Sequence, residues 1–133
     1  MAWYCDSSAL LKLLVSEDET PAIQSAVLGR VLITSELSLT EVGRALLWHG
    51  QAGEEKLEEL IDRVDFVPVT SDLLAEARKL LPPSLRTLDA IQLATALDLG
   101  DACDGMLTYD LRLQTAARSS GLTVESPGQS AAP

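Results

Sequence analysis

The 133-residue chain is poor in the side chains that build soft-metal and disulfide sites, with one histidine, His49, and two cysteines, Cys5 and Cys103. Two cysteines do not make a disulfide framework, and neither has zinc-ligand spacing to a second cysteine. A zinc centre of cysteine and histidine is therefore not expected. Cys5, which lies in an apolar run, is predicted to be a small core residue.

Long apolar runs are also missing, since none reaches the length that crosses a bilayer. The N-terminus lacks a basic region followed by a long apolar stretch, so no signal peptide is predicted and a cytoplasmic location is expected. Aromatic residues make up only 4% of the chain, which leaves few platforms for stacking nucleic-acid bases. The apolar content of 47% and the length predict one domain with its own core.

Positive charge is scarce, because 10 Lys and Arg residues face 20 Asp and Glu residues and give a formal net charge of −10. This balance argues against non-specific nucleic-acid binding by bulk electrostatics. It does not exclude a metal-dependent nuclease, since acids that hold a metal add to the negative count. Three arginines close in sequence to the acids discussed below predict a local cationic rim: Arg44, Arg86 and Arg112.

Short apolar runs of strand length alternate with helical patterns along the chain. This alternation predicts a parallel sheet with helices on both faces. The predicted strands are residues 2–5, 31–34, 66–69, 105–108 and 122–124. The predicted helices are residues 9–15, 21–28, 39–49, 54–65, 72–81, 88–99 and 111–119. Residues 1–126 are expected to form the domain, and the small, polar residues 127–133 a disordered tail.

Local signals sharpen three of these elements. Ser7 or Ser8 is predicted to cap the first helix. Ser38 and Glu41 have the spacing of a capping box at the start of the third helix. Pro68 lacks a backbone donor, so the third strand is expected at an edge of the sheet.

Four acids fall where the predicted elements share one edge of the sheet. Asp6 and Asp110 follow the first and fourth strands, while Glu41 and Asp89 lie in the first turns of helices. Ligand sites of parallel sheets form at the carboxyl ends of the strands. Each acid also has an ordinary alternative role, as a helix cap or as a charge that favours a helix N-terminus by about 0.3–1 kcal/mol.

Taken together, the acids predict a divalent-metal site. Converging carboxylates repel, and burying them is costly unless a cation compensates their charge. Mg²⁺ prefers oxygen ligands, and a cluster without cysteine or histidine offers only those. In enzymes such an ion activates water and neutralises charge beside phosphates.

Four stretches carry a family resemblance: Asp6-Ser7-Ser8-Ala9-Leu10, Thr40-Glu41-Val42, Leu88-Asp89-Ala90-Ile91-Gln92-Leu93-Ala94-Thr95-Ala96-Leu97 and Leu107-Thr108-Tyr109-Asp110-Leu111-Arg112-Leu113. They resemble PIN-domain proteins, and most closely the VapC-like toxins of bacterial toxin–antitoxin pairs. The resemblance extends from residue 2 to about residue 127, and the stretch from Leu88 is its most specific motif.

The resemblance implies a three-layer α/β/α fold with a five-stranded parallel sheet in the order 3-2-1-4-5. It also implies an endoribonuclease that depends on Mg²⁺ or Mn²⁺ and leaves a 3′-hydroxyl and a 5′-phosphate. By motif position the catalytic and metal-binding residues would be Asp6, Glu41, Asp89 and Asp110, with Ser7 and Thr108 in support. Implied partners are RNA, a second copy of the chain in a homodimer, and a small cognate antitoxin.

Two further expectations follow from this comparison. Gln92 stands where relatives often carry histidine, one helical turn past Asp89, so it is expected to alter a wall of the pocket. In the implied strand order the sulfur atoms of Cys5 and Cys103 would lie roughly 20 Å apart, which excludes a disulfide.

Two other classes of protein remain as alternatives. A catalytically inert interaction module could keep the fold, although retention of all four acids argues against it. A receiver-like signalling domain would need a lysine after its last strand, and no lysine follows Lys79. An Asp-x-Asp phosphatase is disfavoured because Ser8 stands two residues past Asp6.

Overall fold

A computed structural model describes residues 1–130. The strands are β1 Ala2–Cys5, β2 Val31–Ser35, β3 Val64–Val67, β4 Gly105–Leu107 and β5 Val124–Glu125. The helices are α1 Ser7–Leu14, α2 Thr20–Ala26, α3 Glu36–Leu46, α4 Gly50–Arg63, α5 Ser71–Ala77, α6 Thr87–Asp98 and α7 Leu111–Ser119, with short 3₁₀ turns at Leu47–His49 and Gly100–Ala102. All pairings are parallel, and the order β3-β2-β1-β4-β5 confirms the expected fold.

The central strand β1 divides the core into two layers, because successive side chains of a strand point to opposite faces. Trp3 and Cys5 join a cluster with residues of α1 to α4, which includes Leu10. Tyr4 joins a second cluster with α6 and α7, which includes Leu93. Full burial of such a large apolar side chain contributes about 1.5–3 kcal/mol to the stability of the fold. Helices cover both faces of the sheet, as predicted.

Near the amino-terminal end of the sheet, the backbone of β4 packs directly on Trp3. Gly105 pairs with Trp3 in the β1–β4 register. A Cβ atom at Gly105 would lie 2.5 Å from the indole ring and 2.7 Å from the Thr123 carbonyl oxygen. Glycine is therefore required for this close approach. Arg30 covers the indole at 4.3 Å and forms an ion pair with Glu125 at 3.0 Å.

Two predicted helix caps are wrong. Asp6 is the N-cap of α1, and neither Ser7 nor Ser8 has that role. Ser35 caps α3 through a hydrogen bond of 3.1 Å from the Leu37 amide. The helix therefore starts before Ser38, and the predicted capping box is not formed.

The displaced start of α3 changes the position of Glu41, which lies in the second turn and not in the first. Ser38 is fully buried inside the helix, where its hydroxyl contacts Thr34 and Gln92. Hydrogen bonds of Ser38 with Thr34 and Gln92 thus take the place of the capping bond that its spacing from Glu41 predicts.

Strand β3 begins and ends two residues earlier than predicted. Val64, which lies within the predicted helix 54–65, pairs instead with Leu32 of β2. Leu57 and Leu60 of α4 pack on the core, whereas Ile61 is 47% exposed. Pro68 lies just after β3, and the predicted position at an edge of the sheet is confirmed.

Both cysteines are free and buried, and the burial of Cys5 confirms its predicted place in the core. Pro127 accepts a hydrogen bond from the Tyr109 hydroxyl, and Gln129 contacts Tyr109 and Gln114. Pro127 and Gln129 thus contact the residues that follow β4 and the helix α7. The rest of the expected tail, residues 131–133, lies outside the described residues. Within residues 1–130 no helix is both long and apolar enough to cross a membrane.

Candidate active site

Asp6 is the most enclosed acid at the carboxyl edge of the sheet, where only 4% of its surface is exposed. Its Oδ1 accepts hydrogen bonds from the Ala9 amide at 3.0 Å and the Ser8 hydroxyl at 2.6 Å. Its Oδ2 accepts from the Thr108 hydroxyl at 2.7 Å. The carboxylate is therefore held by the cap of α1 on one side and by the residue after β4 on the other.

Burial nevertheless dominates the electrostatics of this carboxyl. Desolvation raises the pKa of Asp6 from 3.8 to about 6, against the lowering effect of the three donors. The nearby Asp110 raises this pKa further. Asp6 thus carries a desolvated negative charge at neutral pH, which residues 1–130 stabilise with hydrogen-bond dipoles and not with an ion pair.

Asp110 lies between β4, the strand next to β1, and helix α7. Its Oδ1 accepts from the Leu113 amide at 2.9 Å, so it is the N-cap of the helix. The Asp110 amide donates to the Thr108 hydroxyl at 3.2 Å. Because Thr108 also donates to Asp6, this threonine joins the two acids.

Glu41 is held by partners from two other helices. Its Oε1 accepts from the Ser7 hydroxyl at 2.6 Å and from the Gln92 side-chain amide at 3.0 Å. The consecutive residues Ser7 and Ser8 therefore donate to different acids, Glu41 and Asp6. No side chain or amide among residues 1–130 hydrogen-bonds to Oε2 of Glu41.

Asp89 lies in the first turn of α6 and is half-buried. Burial raises its pKa, and repulsion from Asp110 and Glu41 raises it further. Arg86 and Arg112 oppose this shift. Asp89 is therefore close enough to feel both neighbouring acids, so the charges of all four predicted acids interact in pairs around one edge.

In residues 1–130 the four acids do not form a complete set of metal ligands. Across the described part of the chain, no three Asp, Glu, His or Cys side chains are grouped closely enough to hold an ion as they stand. The chemistry of the donors is still that of a hard cation, since every candidate ligand atom is a carboxylate oxygen. The desolvated charge of Asp6 and the mutual repulsion at Asp89 are what a divalent cation would relieve.

The three predicted arginines differ in their relation to the acids. Arg86 and Arg112 both lower the pKa of Asp89, which places their charges near the site. Arg44 is exposed on α3, three residues after Glu41. None of the three forms an ion pair with a carboxylate in residues 1–130.

Gln92 is the site residue whose contacts the sequence did not predict. It is 2% exposed on an otherwise apolar stretch of α6 and contacts Tyr4, Ser7, Ser38 and Glu41. The available signal was a long polar side chain one helical turn past Asp89. That spacing indicates the pocket wall, but it does not show which acid the amide meets.

Comparisons with known proteins identify the family of the chain. The model of the PIN domain matches residues 3–119. The chain belongs to the PIN-domain family. Among curated proteins it is 40% identical to Ribonuclease VapC46 of Mycobacterium tuberculosis strain H37Rv, over 95% of this chain and 98% of the relative. It is 37% identical to Ribonuclease VapC47 of M. tuberculosis strain CDC 1551 / Oshkosh, over 94% of this chain and 96% of the relative.

Solved structures show the same PIN fold at low sequence identity. M. tuberculosis VapC20, described as a sarcin-ricin loop cleaving toxin, superposes with a TM-score of 0.71 at 16% identity and covers 92% of this chain and 97% of its own. VapBC2 from Rickettsia felis, bound to a DNA fragment from its promoter, gives a TM-score of 0.66 at 12% identity and covers 96% of this chain and 99% of its own. The resemblance inferred from the four motifs is thus confirmed.

Proposed function

We propose that this PIN-domain protein is an endoribonuclease that requires Mg²⁺ or Mn²⁺ and is the toxin of a toxin–antitoxin pair. The observation that carries the proposal is the buried, uncompensated carboxylate of Asp6 beside Asp110, with Asp89 and Glu41 completing the edge. The names of the curated relatives, which are ribonucleases, support RNA as the substrate.

Asp6, Glu41, Asp89 and Asp110 are the residues that would hold the cation. When bound, a divalent ion would lower the pKa of an attacking water and balance the negative charge of the phosphate. Asp6 contributes an oriented carboxylate, because hydrogen bonds from Ser8 and Thr108 fix both of its oxygens. Such an arrangement favours hydrolysis over nucleophilic attack by a side chain.

The arginines supply the contact with RNA in this proposal. Arg86 and Arg112 lie near Asp89 without an ion pair in the described chain, and Arg44 is exposed. Guanidinium groups bind phosphate oxygens through two parallel hydrogen bonds. With a net charge of −10 the protein has little general affinity for RNA, so we expect cleavage at few, structured positions.

The reaction is the addition of water to one phosphodiester. The bond between phosphorus and the 3′-oxygen breaks, the leaving oxygen gains a proton, and the products are a 3′-hydroxyl and a 5′-phosphate. Asp89, whose pKa is raised by burial and by neighbouring acids, is a carboxylate suited to accept the proton of the attacking water.

The proposal includes two protein partners. The structures of R. felis VapBC2 and Haemophilus influenzae VapBC-1 have the same fold as this chain, and their names support a small antitoxin as a partner. We further propose that the protein forms a homodimer. Trp48 is 92% exposed and does not belong to the core, so it is available for either contact.

The direct test incubates purified protein with total bacterial RNA and maps the new 5′ ends by sequencing. We expect few cleavage sites with Mg²⁺ or Mn²⁺, 5′-phosphate ends, and no cleavage after chelation. RNA that stays intact over a wide range of protein and metal concentrations would reject the ribonuclease and favour the inert interaction module.

A further inference from the structure

Gln92 is a buried amide whose four polar neighbours come from three different segments of the fold. The segments are β1 with Tyr4, the start of α1 with Ser7, and α3 with Ser38 and Glu41. An amide without partners at this depth would destabilise the fold by about 1–3 kcal/mol. Its partners explain why a polar side chain is tolerated here, and their identity indicates what it does.

The orientation of the Gln92 amide is fixed by chemistry. The Glu41 carboxylate accepts hydrogen bonds and cannot donate when ionised, so the NH₂ group of Gln92 must face it, at 3.0 Å. The same group lies 2.9 Å from the Ser38 hydroxyl and 3.2 Å from the Ser7 hydroxyl. The carbonyl oxygen then faces Tyr4, whose hydroxyl donates to it.

We propose that Gln92 is a positioning residue that sets the rotamer of Glu41 for cation binding. Gln92 and Ser7 together occupy Oε1 of Glu41 and leave Oε2 for the ion. This inference rests on the proposed function, because it assigns a role to Glu41 in holding the metal. It goes beyond it by naming a residue that acts on the metal site without being a ligand.

Rigid neighbours make Gln92 suitable for this role. Tyr4 is fully buried in the central strand and anchors the carbonyl end of the amide. Ser38 anchors the NH₂ end and shares a hydrogen bond of 2.7 Å with Thr34, which donates to the Cys5 carbonyl at 2.6 Å. Strands β1 and β2 therefore set the position of the Gln92 amide. The amide in turn sets the position of the Glu41 side chain, which is partly exposed.

Outer-shell partners of metal ligands change metal affinity by about 10- to 100-fold when they are removed. Gln92→Met keeps the length of the side chain and removes its hydrogen bonds. Gln92→His restores an N–H donor at the same position. Thr95→Val is the matched control, because Thr95 is buried one helical turn further along α6 and bonds the Ile91 carbonyl of its own helix.

The experiment measures Mn²⁺ binding by titration calorimetry and apo melting temperature for the full chain and these variants. We expect Gln92→Met to weaken Mn²⁺ binding at least tenfold, Gln92→His to recover part of that loss, and Thr95→Val to keep wild-type affinity whatever its melting temperature. A structural role alone would lower the melting temperature of Gln92→Met and leave its metal affinity unchanged, and that result would overturn the inference.

The outcome is separable from that of the proposed function. Wild-type protein that binds Mn²⁺ but cuts no RNA would reject the nuclease and still allow Gln92 to be judged by metal affinity. Wild-type protein that cuts RNA while Gln92→Met binds Mn²⁺ normally would reject the role of Gln92 alone. If Gln92→Met does not fold, Gln92→Asn provides the same test, since its amide is one methylene too short to reach Glu41.

Discussion

Asp6 and Glu41, the two acids with the most donors, are held in different ways. Both oxygens of Asp6 accept hydrogen bonds, and the residue is almost fully buried. Glu41 is partly exposed, and only its Oε1 is held. We refer to the Asp6 cluster, which comprises Asp6, Ser8 and Thr108, and to the Glu41 cluster, which comprises Glu41, Ser7 and Gln92.

The two clusters differ in how directly the fold determines their geometry. The Asp6 cluster is built where β1 meets α1 and where β4 ends, so its geometry is part of the fold itself. The Glu41 cluster joins side chains of α1, α3 and α6, and one oxygen of its partly exposed acid is left without a hydrogen bond in residues 1–130. Changes in the Asp6 cluster should therefore alter both stability and chemistry, whereas changes in the Glu41 cluster should alter cation binding more than stability.

The largest expected effect is on cleavage by Asp6→Asn. The substitution keeps the shape of the side chain and removes the buried charge that the cation requires. RNA cleavage should fall at least about a hundredfold, while circular dichroism remains that of the folded wild type. Expression of the wild type should slow bacterial growth, and Asp6→Asn should relieve it. Cleavage that survives the substitution would remove Asp6 from the centre of the site.

The second prediction concerns the stability of the metal-free protein as a function of pH. Because the pKa of Asp6 is raised to about 6 in the folded state, the folded protein binds more protons than the unfolded chain between pH 3.8 and 6. Its contribution to stability is thus present below pH 3.8 and is lost as pH rises through about 6. The shift corresponds to roughly 3 kcal/mol.

The comparison with Asp6→Asn isolates this effect from the other carboxyl groups. In chelator, the free energy of unfolding of the wild type should decrease relative to that of Asp6→Asn between about pH 4 and pH 6, measured by denaturant titration. A difference between the two proteins that stays constant over this range would show that burial does not perturb Asp6.

Asp89→Asn tests the repulsion at the open side of the site. Removing this charge relieves its interaction with Asp110 and Glu41, so the metal-free variant should be as stable as the wild type or more stable. Mg²⁺ or Mn²⁺, which bind the folded state, should raise the melting temperature of the wild type more than that of the variant. A metal-free variant that unfolds readily would assign Asp89 a purely structural role.

The adjacent serines offer a matched pair across the two clusters. Ser8→Ala removes a donor to Asp6 and leaves the Tyr109 amide without its acceptor, so we expect a loss of about 1–3 kcal/mol in the free energy of unfolding. Ser7→Ala removes one donor to Glu41 and should change stability by only about 0.5 kcal/mol while weakening Mn²⁺ binding. Equal effects of the two substitutions on stability would contradict the distinction between the clusters.

The smallest effect is expected for Arg112→Ala. Its guanidinium group is assigned to phosphate, so RNA binding should weaken and the slope of log affinity against log salt should fall by about 1. Mn²⁺ affinity should be unchanged, because no metal ligand is lost. Titrations of a catalytically inactive Asp6→Asn background with labelled RNA at several salt concentrations measure the slope. An unchanged slope would place Arg112 outside the RNA contact.

The parts of the fold that local pattern controls were predictable from the sequence. Residues 2–5 form the first strand, as their apolar run and the polar residues after it indicate, and residues 111–119 form the last helix as predicted. The strand order came from the resemblance of four motifs to the PIN-domain family. These features depend on periodicity and motif spacing, which are visible without tertiary information.

Elements decided by tertiary partners were harder to predict. Val64 continues the apolar stripe of α4 in sequence, but pairing with β2 draws it into β3. Ser38 has the spacing of a cap, but Thr34 and Gln92 supply better partners inside the fold. The contact between Gln92 and Glu41 spans 51 residues, and no local pattern carries that information.

Titration of Mn²⁺ into the metal-free wild type and Asp6→Asn tests most directly whether the acids form one cation site. We predict saturable binding to the wild type by calorimetry, accompanied by a rise in melting temperature, and loss of both signals in Asp6→Asn. Binding of equal affinity in the two proteins, or no binding to the wild type, would contradict the assignment of this edge of the sheet as a metal-dependent active site.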